Sequence, residues 1–224
     1  MKGFRIPREE QERIRRAAAA AEAGTSGEIA SAVILQSSSY AFPELVAALA
    51  GGVVFFLAAM LAYGPLSALV NGWFWEPRDW YVTAFYGLAT LGVTGLLYAL
   101  GNIPGADRLI VPRKIREKAV HRRALIQFVE SGVYNTRDRT GILIFLSLRE
   151  RRVEILADTG ISALVSQDSW NGILEDLTLA LRKGEPGPGL VRAIEGCGRI
   201  LAEHFPRKSD DTNELPDGLV FLED

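Results

Sequence analysis

Residues 140–160, TGILIFLSLRERRVEILADTG, decide the fold. Ile142 to Leu146 is a continuous apolar run, the pattern of a strand covered on both faces. RERR at 149–152 reads as an exposed turn, with a second apolar strand following it. A lone two-stranded hairpin is marginal in water, so this one needs further strands and helices to bury its faces. The remaining sequence must supply them.

The chain has 224 residues, 48% of them hydrophobic and 23% charged, so apolar blocks are set among ordinary polar ones. A formal net charge of −2 gives no bias toward nucleic acid, and none is expected as a partner. The single cysteine, Cys197, excludes an internal disulfide framework and a cysteine-based zinc site. The N-terminal MKGFRIPREEQERIRR has no apolar core, so no cleaved signal peptide is expected in it.

Two segments lack the polar face that a soluble helix of their length requires. Phe42 to Tyr63 carries only Glu44 as a charge, and Trp80 to Leu100 carries none. Each is long enough to cross roughly 30 Å of hydrocarbon, so a transmembrane helical hairpin is expected, in contact with the lipid bilayer. Trp73, Trp75, Trp80 and Tyr81 fall where it turns, as an interfacial aromatic belt would. Of lysine and arginine the connecting loop holds only Arg78, whereas Arg108, Arg113, Lys114, Arg116, Lys118, Arg122 and Arg123 come after the second span. That bias predicts a cytoplasmic soluble domain and cytoplasmic termini, with the hairpin in a prokaryotic inner membrane. The basic helix after the span reads first as a solvated charge face and second as a contact for anionic headgroups. Gly51 and Gly52 would allow close helix packing, which alone does not establish a dimer.

Outside the hairpin, Pro7 to Ala23 reads as an amphipathic helix, with Pro7 in its first turn and Gly24 at its end. Ile29 to Leu35 is a short β-prone run. TSGE at 25–28 matches a capping box, but the run beyond it is too short and β-branched for a helix. Pro112 opens a helix to about Gly132, and Trp170–Arg182 and Leu190–Phe205 read as two more helices separated by the breaker GEPGPG at 184–189. Neither soluble half has enough apolar strand for its own core; together they make a sheet of at least three strands covered by helices. The missing partner of the 140–160 hairpin is the strand from Glu28. The expected organisation is residues 1–40 and 104–206 as two parts of one α/β domain, 41–103 as its inserted membrane hairpin, and 207–224 as an acidic tail.

AEAGTSGEIASAVIL, DRTGILIFLSLRERRVEILADTGI, SW, GLVRAIEGCGRILAEHFP and the closing DDTNELPD, in that order, resemble the TPM domain, a family often labelled TPM phosphatase. The resemblance covers nearly all the sequence outside the hairpin. It implies a three-layer αβα sandwich with a small mixed sheet, divalent-cation binding as in some members, and a phosphatase label. Many members carry a signal peptide and a membrane anchor at one end; this chain departs on both points, with its anchor inside the domain.

Asp138 and Asp158 sit in loops flanking the strands, and with Glu28 they form a candidate oxygen-ligand set at one sheet edge. Ca²⁺ and similar hard divalent cations favour such ligands. Ordinary turn chemistry is the competing reading, since Asp shortly before Gly is common at strand ends. Asp210, Asp211, Glu214 and Asp217 read as a solvated terminus. The DTG at 158–160 matches the aspartic-protease triplet, but one copy supplies no dyad. His121 and His204 alone make no histidine-rich metal centre, and neither a P-loop nor a dinucleotide fingerprint is present, so no nucleotide cofactor is expected. Cys197 reads as a packing residue between glycines, and Trp170 as a core residue at a helix start. Two functions stand: a non-catalytic, membrane-anchored module that binds a divalent cation or a membrane protein partner, and a metal-dependent phosphatase using Glu28, Asp138 and Asp158.

Overall fold

The computed structural model describes residues 6–73, 75–76, 78–103, 110–216 and 218–222. They divide into two compact units, residues 39–115 and the remainder on either side.

The larger unit contains a four-stranded mixed sheet in the order β3-β2-β1-β4. Strand β1 (Glu28–Ile34) pairs in parallel with β2 (Gly141–Ser147) over seven residues, from Glu28 opposite Gly141 to Ile34 opposite Ser147. Strand β3 (Arg152–Ala157) returns antiparallel to β2. All seven residues of both β1 and β2 are buried, which accounts for their unbroken apolar pattern. Even where the sequence alternates little, the pleat separates two cores. Ile29, Val33, Ile142, Ile144, Leu146 and Ile155 face one core with Trp170, Leu177, Leu190 and Ile194; Ala30, Ala32, Ile34, Leu143 and Phe145 face another with Val120 and Ala124.

Helices α1 (Arg8–Glu22), α6 (Asn171–Lys183) and α7 (Pro186–His204) line the first core, and α5 (Arg113–Glu130) lines the second. The result is the expected αβα sandwich. Trp170 is buried at the start of α6, in the core role expected of it.

Three local expectations need correction. GEPGPG does not separate the helices entirely, because α7 begins at Pro186, where the missing N–H costs nothing in a first turn. Its glycines serve packing: a Cβ on Gly189 would lie 2.5 Å from that of Ala180. The turn at 149–152 is only partly exposed. Glu150 is buried, accepting from the Ser37 N–H at 3.1 Å and from the Ser147 hydroxyl. Finally, the stretch read as an acidic tail supplies a fourth strand, β4 (Leu219–Leu222), parallel to β1 from Ser31 opposite Leu219.

The smaller unit contains α2 (Ala41–Leu61), α3 (Tyr63–Gly72) and α4 (Asp79–Gly101). Helices α2 and α4 run antiparallel, with small residues at their contact. A Cβ on Gly52 would come 2.1 Å from Thr94 Oγ1, and one on Gly51 would come 2.5 Å from Leu97 Cδ1. These glycines therefore admit α4 of the same chain. Near the turn, the Tyr86 hydroxyl donates to the Ala59 carbonyl at 3.1 Å. The segments Ala41–Leu61 and Trp80–Gly101 are each long and apolar enough to cross a membrane. Their outer surfaces expose Val53, Val54, Leu57, Leu88 and Leu91.

Phe145, fully buried between β2 and α5, should be among the costliest side chains to remove. Phe145→Ala is expected to lower unfolding free energy by about 3–5 kcal/mol, read from the shift of a chemical-denaturation midpoint in detergent.

Candidate functional site

Parallel pairing places the beginnings of β1 and β2 at one sheet edge, and the antiparallel return of β3 brings Asp158 there. Asp158 N–H donates to the Gly141 carbonyl at 2.9 Å, and Glu28 N–H to the Thr140 carbonyl at 3.1 Å. The edge is therefore stitched by backbone bonds across three strands. By the pleat, Glu28, Gly141 and Asp158 fall on the same face, the one covered by α5. Gly141 has no room for a side chain: a Cβ would lie 2.3 Å from the Val133 carbonyl oxygen. A main-chain turn therefore stands between the two carboxylates.

Each sequence-predicted carboxylate meets a different environment. Glu28 is 4% exposed and accepts the Glu214 and Leu215 backbone N–H groups at 3.1 and 3.3 Å. Burial pushes its carboxyl above the ordinary range, opposed by those two N–H donors, while nearby Glu214 and Asp211 add to the rise. Asp138 lies in the loop before β2 and binds the Lys208 ammonium at 2.7 Å, with Arg137 at 3.7 Å. The Lys208 hydrogen bond holds its carboxyl below the usual value.

Asp158 is 5% exposed and caps the single helical turn Thr159–Ser162. Its Oδ1 accepts the Thr159 N–H at 2.6 Å and the Thr159 hydroxyl at 3.1 Å. Its Oδ2 is buried without a hydrogen-bond donor among the described residues; the Arg139 guanidinium stands 3.9 Å away. Arg139 itself adopts a left-handed backbone (φ 57°), and its carbonyl accepts from Gly160 N–H at 3.1 Å. The loop thus lies directly against the Asp158 turn. Among the described residues, no group of three or more His, Cys, Asp or Glu side chains converges as a metal ligand set. Of the three predicted ligands, Asp158 alone keeps a buried carboxylate oxygen without a hydrogen-bond donor among the described residues.

Sequence reasoning missed the partners from the C-terminal segment. A cleft of about 440 Å³ is lined by Ser26, Asp138, Thr140, His204, Arg207 and Lys208. Ser26 Oγ accepts the Lys208 N–H at 2.9 Å, and Arg137 N–H donates to Glu214 at 2.9 Å. The one visible signal was RDRT at 137–140, which surrounds Asp138 with cations. Cys197 is fully buried and its thiol is pushed up to about 12 by that burial, the state of an inert packing residue.

The raised Glu28 value has a defined sign in stability. Folded Glu28 retains its proton over an interval where the unfolded chain has lost it, so its contribution is complete below the ordinary carboxylate value and declines as pH rises through the raised one. Urea melts across this interval should show the wild-type chain losing stability relative to Glu28→Gln as pH increases. A flat difference would show that the folded and unfolded values coincide.

Comparison with known proteins bears on the fold and the family. Residues 109–200 match the family model of the TPM domain, a stretch holding all of α5, the β2–β3 hairpin, α6 and much of α7. The NMR structure of the BA42 protein from the psychrophilic bacterium Bizionia argentinensis is similar at 22% identity, with a TM-score of 0.58, covering 99% of this chain and 98% of that one. At that identity the likeness speaks for the fold. No curated protein matches. The likeness to the TPM domain thus rests on residues 109–200, within the αβα architecture described above.

Proposed function

We propose that this protein is a membrane-anchored TPM module that binds a divalent cation or a protein partner without turning over a substrate, in support of a membrane complex. The observation that carries this reading is Asp158 Oδ2, a buried carboxylate oxygen without a hydrogen-bond donor among the described residues. Such an oxygen is costly to leave uncompensated, and a hard cation such as Ca²⁺ would satisfy it. Asp158 would be the carboxylate ligand, with main-chain carbonyls of the adjoining 136–140 loop as the complementary donors. Glu28 and Asp138 would act beside it, Glu28 by holding the C-terminal segment and Asp138 by holding Lys208. For a metal to recruit either of them, it would have to displace those partners.

The anchor is the α2–α4 hairpin, whose exposed aliphatic surface suits lipid rather than water. Basic residues beyond α4 favour a cytoplasmic α/β domain. A metal-dependent phosphatase is the second reading, and the cleft beside Asp138 favours it. There His204, Arg207 and Lys208 would meet a phosphoryl group, with the cation polarising it.

Calorimetric titration of the detergent-solubilised chain with Ca²⁺, Mg²⁺ and Mn²⁺ separates these readings. Binding by the wild-type chain that is lost in Asp158→Asn, with no metal-dependent hydrolysis of an aryl phosphate, is the expected result. Hydrolysis abolished by the same substitution would favour the phosphatase, and unaltered cation binding in the variant would remove Asp158 from the site. Resistance of the membrane-bound chain to alkaline carbonate extraction is expected of a spanning hairpin; release into the supernatant would overturn the anchor.

A further inference from the structure

The outward face of α5 does not match an ordinary solvated helix. Its inward stripe, Val120, Ala124 and Gln127, is buried, as a helix covering a sheet requires. On the other side Leu125 is 45%, Ile126 39% and Val129 57% exposed. Lys114, Lys118 and Arg122 are exposed as well. At about 100° per residue, Lys114, Lys118, Arg122, Leu125, Ile126 and Val129 fall within an arc of roughly 120°. One helix face therefore carries cations in its first half and bare aliphatic side chains in its second. Much of the acid on or beside this helix is already paired: Glu117 with Arg152 at 2.9 Å, Glu130 with Arg123 at 3.4 Å, and Glu154 with His121 at 3.4 Å.

We infer that this face of α5 is an interaction surface for an anionic lipid leaflet, with Leu125, Ile126 and Val129 entering the headgroup boundary and Lys114, Lys118 and Arg122 meeting lipid phosphates. The inference rests on the membrane anchor proposed above. Two features select lipid as the occupant. The charge has the sign that anionic headgroups attract, and basic and aliphatic side chains share one helix face as they do in interfacial helices. In addition, α5 starts at Arg113, only twelve residues in sequence after α4 ends at Gly101, and α4 is apolar enough to cross a membrane.

The test uses the full-length chain in nanodiscs, with an environment-sensitive fluorophore at Leu125→Cys and, separately, at Phe56→Cys on α2. Native Cys197 is buried with a thiol pushed up to about 12, so labelling is confined to the introduced thiol. In phosphatidylcholine discs containing phosphatidylglycerol, lipid-borne quenchers should quench the label at 125; in pure phosphatidylcholine that quenching should fall. Lys118→Gln with Arg122→Gln should reduce the surface-bound equilibrium on the order of 30-fold, from roughly fivefold per cation. Quenching at 56 with none at 125 in anionic discs would overturn the surface and leave the anchor standing. Quenching at neither position would overturn both. Quenching at 125 that is equal in neutral and anionic discs would also overturn the proposal, since headgroup charge would then play no part.

Discussion

The parallel ladder between β1 and β2 is the constraint on which the rest depends. It joins Glu28–Ile34 to Gly141–Ser147, segments separated by more than a hundred residues, and every residue in it is buried. Without it β2 and β3 would be an isolated hairpin, and the helices on both faces would have no common surface. Parallel strands require a crossover, and here it contains α5, which covers one face of the sheet. The other face is closed by α1, α6 and α7.

The insertion of an apolar hairpin into this crossover is physically tolerable because the hairpin closes on itself. Antiparallel packing puts the start of α2 beside the end of α4: a Cβ on Gly101 would lie 3.7 Å from the Glu44 side chain. The two ends of the hairpin therefore lie side by side, and loop-closure entropy grows only slowly with inserted length. Close approach depends on Gly51 and Gly52 opposite Leu97 and Thr94, with Thr94 Oγ1 bonded within its own helix to the Thr90 carbonyl at 2.8 Å. Polar groups at this contact are thus satisfied locally, as they must be in an apolar setting.

At the site, the same ladder sets three carboxylates near one edge and then gives them unequal surroundings. Glu28 becomes an anchor for the C-terminal segment, Asp138 an ion-pair partner, and Asp158 a turn cap with one oxygen left over. The C-terminal segment takes part in two of these outcomes. It also pairs β4 with β1, so sheet completion and the surroundings of Glu28 and Asp138 share the same C-terminal segment.

Much of this was legible in the residues themselves. The unbroken run Ile142–Leu146 announced a strand covered on both sides, the β-branched run after Glu28 announced its neighbour, and two long apolar segments without a polar face announced the paired helices α2 and α4. These are local patterns of side-chain polarity, set by the periods of helix and strand, and they need no knowledge of distant contacts. The strand character of Leu219–Leu222 was hidden because four residues amid acidic groups carry too little pattern; only pairing with β1 makes them a strand. Likewise Glu150 looked exposed among arginines until Ser37 and Ser147 closed on it. The spacing of Glu28, Asp138 and Asp158 placed them at one edge but left open which oxygens would be free. That was decided by tertiary structure, because hydrogen-bond partners such as the Glu214 N–H and the Lys208 ammonium reach these carboxylates only after the chain has folded.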